Sequence, residues 1–188
     1  MTPDDPEEFA QFVALHFARQ DITDRSVSFG VPVLTVMRAA AVRVASFLRN
    51  DPSCRFTVLT DATAVHRPDR AEPVELSYRL LSPSLNRRLC LKLFTEAGVP
   101  APSMCAVFRN AAWYEREIRE MFGVTFDGHP DLRRLLTDEG LAGFPLLKSF
   151  PARGRKRTVW RDGAFVSEDV RPEPRRNAIA VDLNGEGA

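Results

Sequence analysis

Residues 74 to 95 read VELSYRLLSPSLNRRLCLKLFT. Val74, Leu76, Tyr78 and Leu80 alternate with other residues, which is the period of a strand with one covered face. Leu89, Leu91 and Leu93 repeat the pattern over Arg88 to Thr95, with Cys90 and Phe94 on the opposite side. The connection between the two runs, Ser82-Pro83-Ser84-Leu85-Asn86, is short, so the strands form an antiparallel hairpin. Upstream, RFTVLTDATAV over residues 55 to 65 adds a third strand. Farther back, SVSFGVPVLTV over 26 to 36 is β-branched and aromatic, and Gly30 and Pro32 mark a bulge or a turn between two strands.

Helical periods fill the rest of the first two thirds. EEFAQFVALHFARQ over 7 to 20 places Phe9, Phe12, Val13 and Phe17 on one face, with Pro6 where a helix tolerates it. RAAAVRVASFLR over 38 to 49 carries the stripe Ala41, Val44, Ala45 and Leu48 and is stopped by Asn50-Asp51-Pro52. NAAWYEREIREMF over 110 to 122 has Asn110 as N-cap and Gly123 as its stop. Ala97 to Pro102 reads as a Gly/Pro linker and Pro130 to Leu136 as a short helix. This order predicts an α+β, two-layer domain over residues 1–139, with helices packed on a mixed, partly antiparallel sheet.

From residue 140 the periodicity fails. Pro145, Pro151, Pro172 and Pro174 predict an extended C-terminal arm over 140–188. It contains one short hairpin, Arg157 to Trp160 and Ala164 to Val166, around Asp162-Gly163. An isolated hairpin is marginal in water. An arm that cannot bury itself needs another surface, which points to a partner protein.

Composition narrows the classes. With 188 residues, the chain can bury roughly 70% of its unfolded surface without a disulfide or metal. At 44% hydrophobic and 27% charged residues it is globular rather than disordered. A net charge of +1 argues against a global polyanion-binding field. No apolar run approaches the roughly 18 to 20 residues of a membrane helix. The acidic opening, Met1 to Glu8, matches neither a secretory signal nor a transit peptide, so the protein is expected to stay where it is made. Three widely spaced cysteines, Cys54, Cys90 and Cys105, suit a reducing compartment and fill the core.

Chemistry-bearing motifs are sparse. There is no G-x-G-x-x-G, no P-loop and no C-x-x-C. His16, His66 and His129 are scattered, so a metal site requires folding to gather them. The run Arg153-Gly154-Arg155-Lys156-Arg157 could meet phosphate, but it sits in a chain that is otherwise not basic. An acidic partner surface or simple solvation accounts for it better. At 100° per residue, Trp113, Met121, Tyr114, Ile118 and Phe122 span one apolar arc of their helix, with Glu115, Arg116 and Arg119 opposite. Glu117 falls inside that arc and Glu120 at its edge. A carboxylate there needs a cation or donors, or takes a proton, and pairing is the better reading.

The same helix carries a resemblance. Trp113-Tyr114-Glu115-Arg116-Glu117, then Glu120-Met121-Phe122-Gly123, then Phe126-Asp127-Gly128-His129-Pro130-Asp131-Leu132-Arg133-Arg134-Leu135-Leu136 resembles the signature of the 30-kDa subunit family of respiratory complex I. Weaker echoes are Asp61 to Val65, Tyr78 to Ser82, Asn86 to Leu89 and Gly143 to Pro151, so the resemblance covers roughly residues 5 to 165. The family usually has Asp where this chain has Glu120 and His66. Its G-H-P-L-R-K-D-F-P segment stands here as Gly143 to Pro151, with Phe144, Leu147 and Ser149 replacing polar residues. Its acidic-aromatic tail is not evident after Val170.

The resemblance implies a hydrophilic peripheral-arm subunit of a proton-translocating NADH:quinone oxidoreductase. Such a chain holds no cofactor and no active site, FMN and the iron–sulfur clusters residing on other subunits. Its implied partner is the 49-kDa-type subunit, with quinone contacted only indirectly and no nucleic acid bound. Its implied place is peripheral, on the cytoplasmic side of the bacterial inner membrane. Trp113, Tyr114, Glu115, Arg116, Glu117, Glu120, Gly123, His129, Pro130, Asp131, Arg133 and Arg134 are then the signature and interface residues. Two other readings stay open: a homologous subunit of a membrane-bound hydrogenase or ferredoxin-linked oxidoreductase, and a free-standing nucleic-acid or protein-binding module using the basic arm.

Overall fold

The computed structural model describes residues 5–96, 98–137, 141–151, 156–161 and 164–169. It forms two compact units, Met1–Phe150 and Pro151–Ala188. The first is built as the strand and helix periods predict. Its order is α1 (Pro6–Ala14), β1 (Ile22–Ser28), β2 (Val31–Val36), α2 (Arg38–Asn50), β3 (Val58–His66), β4 (Val74–Ser82), β5 (Arg87–Thr95), β6 (Ala101–Pro102), a 3-10 turn (Met104–Ala106), α3 (Ala111–Phe122) and β7 (Phe126–Asp127).

Five strands make one sheet in the order β1-β2-β5-β4-β3. β2 and β5 are parallel, and the other neighbours are antiparallel. Registers Leu76↔Leu93, Tyr78↔Leu91 and Leu80↔Leu89 put all six side chains of the opening hairpin on one face. All six are at most 1% exposed. Ala40, Ala41, Val44, Ala45 and Leu48 of α2, with Phe9 and Val13 of α1, complete a continuous core with them. The result is an α+β fold with three helices on a mixed five-stranded sheet. On the other face Glu75 is buried as well. Burial raises its carboxyl, but Lys92 Nζ at 2.6 Å and Arg67 Nε at 3.2 Å outweigh that and hold it below the ordinary 4.5.

The structure corrects several local expectations. α1 stops at Ala14 rather than Gln20. His16 Nδ1 donates to the Phe12 carbonyl, and His16 N–H and Phe17 N–H close three-residue turns onto Val13 and Ala14. These bonds replace the next helical turn and leave Leu15 exposed. The Ala97 to Pro102 linker ends in β6, which pairs with β7 in parallel. No helix forms over 130 to 136, for a reason given below. Asn110 does precede α3, but its side chain does not cap it. Asn110 Nδ2 instead donates to the Leu59 carbonyl at 2.8 Å, and Tyr114 Oη donates to the Thr60 carbonyl at 3.0 Å. Both carbonyls lie where the β3–β4 register shifts, so α3 satisfies the outer edge of the sheet.

In the second unit, β8 (Lys156–Arg161) and β9 (Ala164–Asp169) pair antiparallel, as the short hairpin predicts. Its Asp162-Gly163 turn, Arg153 to Arg155 of the basic run and the tail after Val170 lie outside the described residues.

The β1–β2 connection has only Phe29 and Gly30 between paired Ser28 and Val31, with φ of 50° and 75°. Two successive positive φ values are those of a type I′ turn, which favours Asn-Gly. Phe29 is fully exposed there and gains no burial in the chain to offset its left-handed backbone. Phe29→Asn should therefore stabilise the chain by about 1 kcal/mol, raising the thermal midpoint by roughly 2–4 °C. An unchanged or lowered midpoint by calorimetry would refute the turn assignment.

Candidate functional site

α3 is buried on two sides. Ala111, Glu115, Ile118 and Phe122 fall within about 60° of one another at 100° per residue and face the core. This corrects the arc predicted from sequence: Trp113 is 60% exposed and Glu117 is exposed, whereas Glu115, placed opposite the apolar arc, is 0% exposed. The hydrophobic period alone could not show that a carboxylate has donors waiting for it inside.

Those donors come from the 3-10 turn and β4. Glu115 Oε1 accepts from Met104 N–H at 2.7 Å and lies 3.5 Å from Tyr78 Oη, which donates. Oε2 accepts from Ser103 Oγ at 2.6 Å and from the Cys105 thiol at 3.6 Å. Burial pushes the Glu115 carboxyl up, and the Ser103 and Met104 hydrogen bonds offset only part of that. Tyr78 is pushed well up too, by burial and then by the adjacent Glu115.

Among the described residues, Cys105, Glu115 and His129 bring one donor atom each within 4.8 Å, a gathering that their sequence spacing does not reveal. Hydrogen bonds already occupy the trio. His129 Nε2 donates to the Ala112 carbonyl at 3.1 Å, and Nδ1 accepts from Asp131 N–H at 3.0 Å. A neutral imidazole has one donor and one acceptor, so no lone pair is left for a metal. The arrangement fits a hydrogen-bonded seam rather than a coordination site.

On the opposite side of α3, Glu120 is 4% exposed because residues 133 to 137 are laid over it. Oε2 accepts from Leu135 and Leu136 N–H at 2.8 Å each. Oε1 accepts from Thr137 N–H at 2.6 Å and from the Thr137 hydroxyl. Burial raises this carboxyl, but the four donors outweigh it and hold it at about 2. One turn earlier, Arg116 Nε and Nη2 donate to the carbonyls of Arg133 and Arg134 at 2.9 and 2.8 Å, and its guanidinium lies 5.2 Å from the Trp113 ring centre. These bonds explain the missing helix over 130 to 136: its N–H and C=O groups are taken by α3 side chains instead of by one another.

The remaining signature residues shape the same covering. Asp131 accepts from the Arg133 guanidinium at 2.8 to 3.0 Å and from its N–H, which holds the Asp131 carboxyl well below the usual range. Arg134 donates to Thr137 Oγ1 at 2.7 Å and to the Leu141 carbonyl at 2.8 Å. Pro130 is exposed beside His129. Gly123 caps α3 at φ 78°, and the Phe144 ring packs so closely that a Cβ built on Gly123 would come within 2.5 Å of it.

A family model for the respiratory-chain NADH dehydrogenase 30 Kd subunit matches residues 34–156. The chain belongs to that family. A NADH-quinone oxidoreductase subunit of Caulobacter vibrioides is 45% identical over 148 residues, 75% of each chain. Its counterpart in Xanthobacter autotrophicus is 46% identical over 154 residues, 80% of this chain and 74% of its own. A chain in the structure of a membrane-bound sulfane sulfur reductase, an archaeal respiratory membrane complex, superposes at TM-score 0.63. It covers 85% of this chain and 98% of its own at 20% identity, and shows a common fold. As a 30-kDa-family chain the protein is a subunit of NADH-quinone oxidoreductase, a multi-subunit enzyme complex. Among the described residues, no helix is long and apolar enough to cross a membrane.

The two acids of α3 should respond differently to the same change. Glu120→Gln replaces one accepting oxygen with a donor among backbone donors, and should cost about 1–3 kcal/mol in urea unfolding. Glu115→Gln should cost under about 1 kcal/mol, because the Ser103 hydroxyl can turn to accept. The pH dependence is signed. Glu120 is more acidic folded than its ordinary 4.5, so its contribution is present above about pH 4.5 and lost as pH falls through about 2. Glu115 is less acidic folded, so its ionisation weakens the fold as pH rises above 4.5 toward its raised value, and Glu115→Gln should remove that slope. Equal costs for the two variants would contradict the assignment.

Proposed function

We propose that this chain is a scaffold subunit without a redox centre of its own. It helps assemble the quinone-reducing module of the complex against a 49-kDa-type neighbour. FMN and the iron–sulfur clusters belong to other subunits, quinone is contacted only through the neighbour, and no nucleic acid is bound. The assembly sits on the cytoplasmic side of a bacterial inner membrane. Residues from 140 onward serve as the docking arm, those from 141 to 150 seated on the end of α3.

One observation carries this reading. The acids most suited to chemistry, Glu115 and Glu120, are surrounded by donors of their own chain and shape a surface instead of a cleft. That surface leaves Trp113, Leu136 and Leu146 more than half exposed and Phe144 at 40%. Large apolar side chains held in fixed positions by charge-assisted bonds suit a protein partner. The identity of 45% to a NADH-quinone oxidoreductase subunit weighs for that complex over a hydrogenase-type one.

Trp113→Ala combined with Leu146→Ala should leave the chain folded by circular dichroism. In membranes it should lower the content of assembled complex on native gels, together with NADH:quinone activity, by about tenfold, as loss of two buried anchors implies. Normal complex content with normal activity would overturn the interface. Normal content with lost activity would show that this chain acts in turnover rather than assembly.

A further inference from the structure

The segment from 141 to 150 folds as two consecutive tight turns, closed by Leu147 N–H to the Phe144 carbonyl at 3.2 Å and Phe150 N–H to the Leu147 carbonyl at 2.9 Å. Turns of this kind do not hold themselves onto a helix. Two backbone N–H groups of the segment reach outside it. Leu146 N–H donates to the Met121 carbonyl at the end of α3, at 3.0 Å. Lys148 N–H donates to Nδ1 of His66, the last residue of β3, at 2.9 Å across 82 residues of sequence.

The second bond differs from the first in kind. A carbonyl accepts at every pH. An imidazole nitrogen accepts only while it carries no proton, and an imidazolium has two donors and no acceptor. Rotating the charged ring does not help, because either nitrogen then presents N–H toward Lys148 N–H. We propose that His66 is a pH-sensitive latch: neutral, it holds the turns that carry Phe144 and Leu146 against the sheet and α3, and protonated, it releases them.

The charged groups around this histidine are carboxylates, lysines and arginines. Arg67 follows it on the chain and is paired with Glu75, which also binds Lys92. Its cross-strand partner is Val74, which carries no charge. α3 brings Arg119 and Glu120 at this end, and Glu120 is held by residues 135 to 137. Lys148 is the one charged residue between 141 and 151. Carboxylates, lysine and arginine ordinarily titrate well outside pH 5 to 8, whereas imidazole titrates within it. The rival is His129, whose Nδ1 accepts from Asp131 N–H and which neighbours Glu115. It anchors the loop before the turns, so the experiment must separate the two. The latch concerns contacts within the chain and stands or falls independently of the partner assigned above.

Hydrogen exchange of the full chain, corrected for the intrinsic pH dependence of exchange, reads the latch directly over residues 144 to 150. In the parent protein, protection should fall about tenfold between roughly pH 7.5 and 5.5, the scale of one lost hydrogen bond. His66→Asn places a non-titrating carbonyl oxygen near the Nδ1 position and should keep protection high at both values. His66→Leu, with no acceptor, should show the roughly tenfold lower protection at both. A parent whose protection does not change with pH would overturn the proposal. So would a fall in His66→Asn equal to the parent's, which would assign the titration to His129 or another group. Full protection in His66→Leu at the higher pH would show that the bond does not hold the segment.

Discussion

Glu115 and Glu120 leave α3 on different sides, and both are buried, Glu115 fully and Glu120 nearly so. A carboxylate removed from water is tolerable only where donors replace its hydration. That requirement organises the region. On the inner side it draws Met104 N–H, Ser103 and Tyr78 into one cluster, which joins α3 to the 3-10 turn and to the middle of the sheet. On the outer side it draws three consecutive N–H groups, 135 to 137, onto the helix. Arg116 repeats the logic with opposite sign by taking two carbonyls of the same loop. The loop therefore needs no secondary structure of its own.

The two carboxylates are not equivalent, and the difference is one of donor strength against burial. Glu120 meets three backbone N–H groups and a hydroxyl at once, and stays ionised far into acid. Glu115 meets one backbone N–H, two hydroxyls and a thiol, and burial prevails. Hydroxyls can reverse their role and accept, so the inner cluster can accommodate a proton where the outer one cannot. Both arrangements immobilise the helix whose free face carries Trp113. Under the docking role proposed above, such a helix would present anchors that are ordered before a partner arrives, which reduces the entropy lost on docking.

Sheet closure follows a similar economy of polar groups. β3 is an edge strand, and an uncovered edge invites pairing with other chains. Asn110 and Tyr114 donate to its carbonyls where the ladder shifts register, and the turns of 141 to 150 meet its last residue through His66. The helix that carries the family signature is thus also the element that finishes the sheet. β1, at the other edge, is polar and exposed along most of its length.

Period-two alternation and helical stripes determined the strands of the five-stranded sheet, the core leucines of β4 and β5, the stripe of α2 and the hairpin of β8 and β9, because each is a pattern of apolar residues along a local axis. The signature residues identified the family for a related reason: their order is itself a record. What the chain's linear order could not convey was where a polar side chain finds its partners. Glu115 meets Ser103 and Tyr78, Glu120 meets 135 to 137, and His66 meets Lys148, across separations of 12 to 82 residues. Only the fold brings such donors together. It therefore exchanged the expected places of Glu115 and Trp113, and it dissolved the helix expected over 130 to 136. A hydrophobic period counts where apolar surface goes, and the burial of a charge depends on hydrogen bonds that no period records.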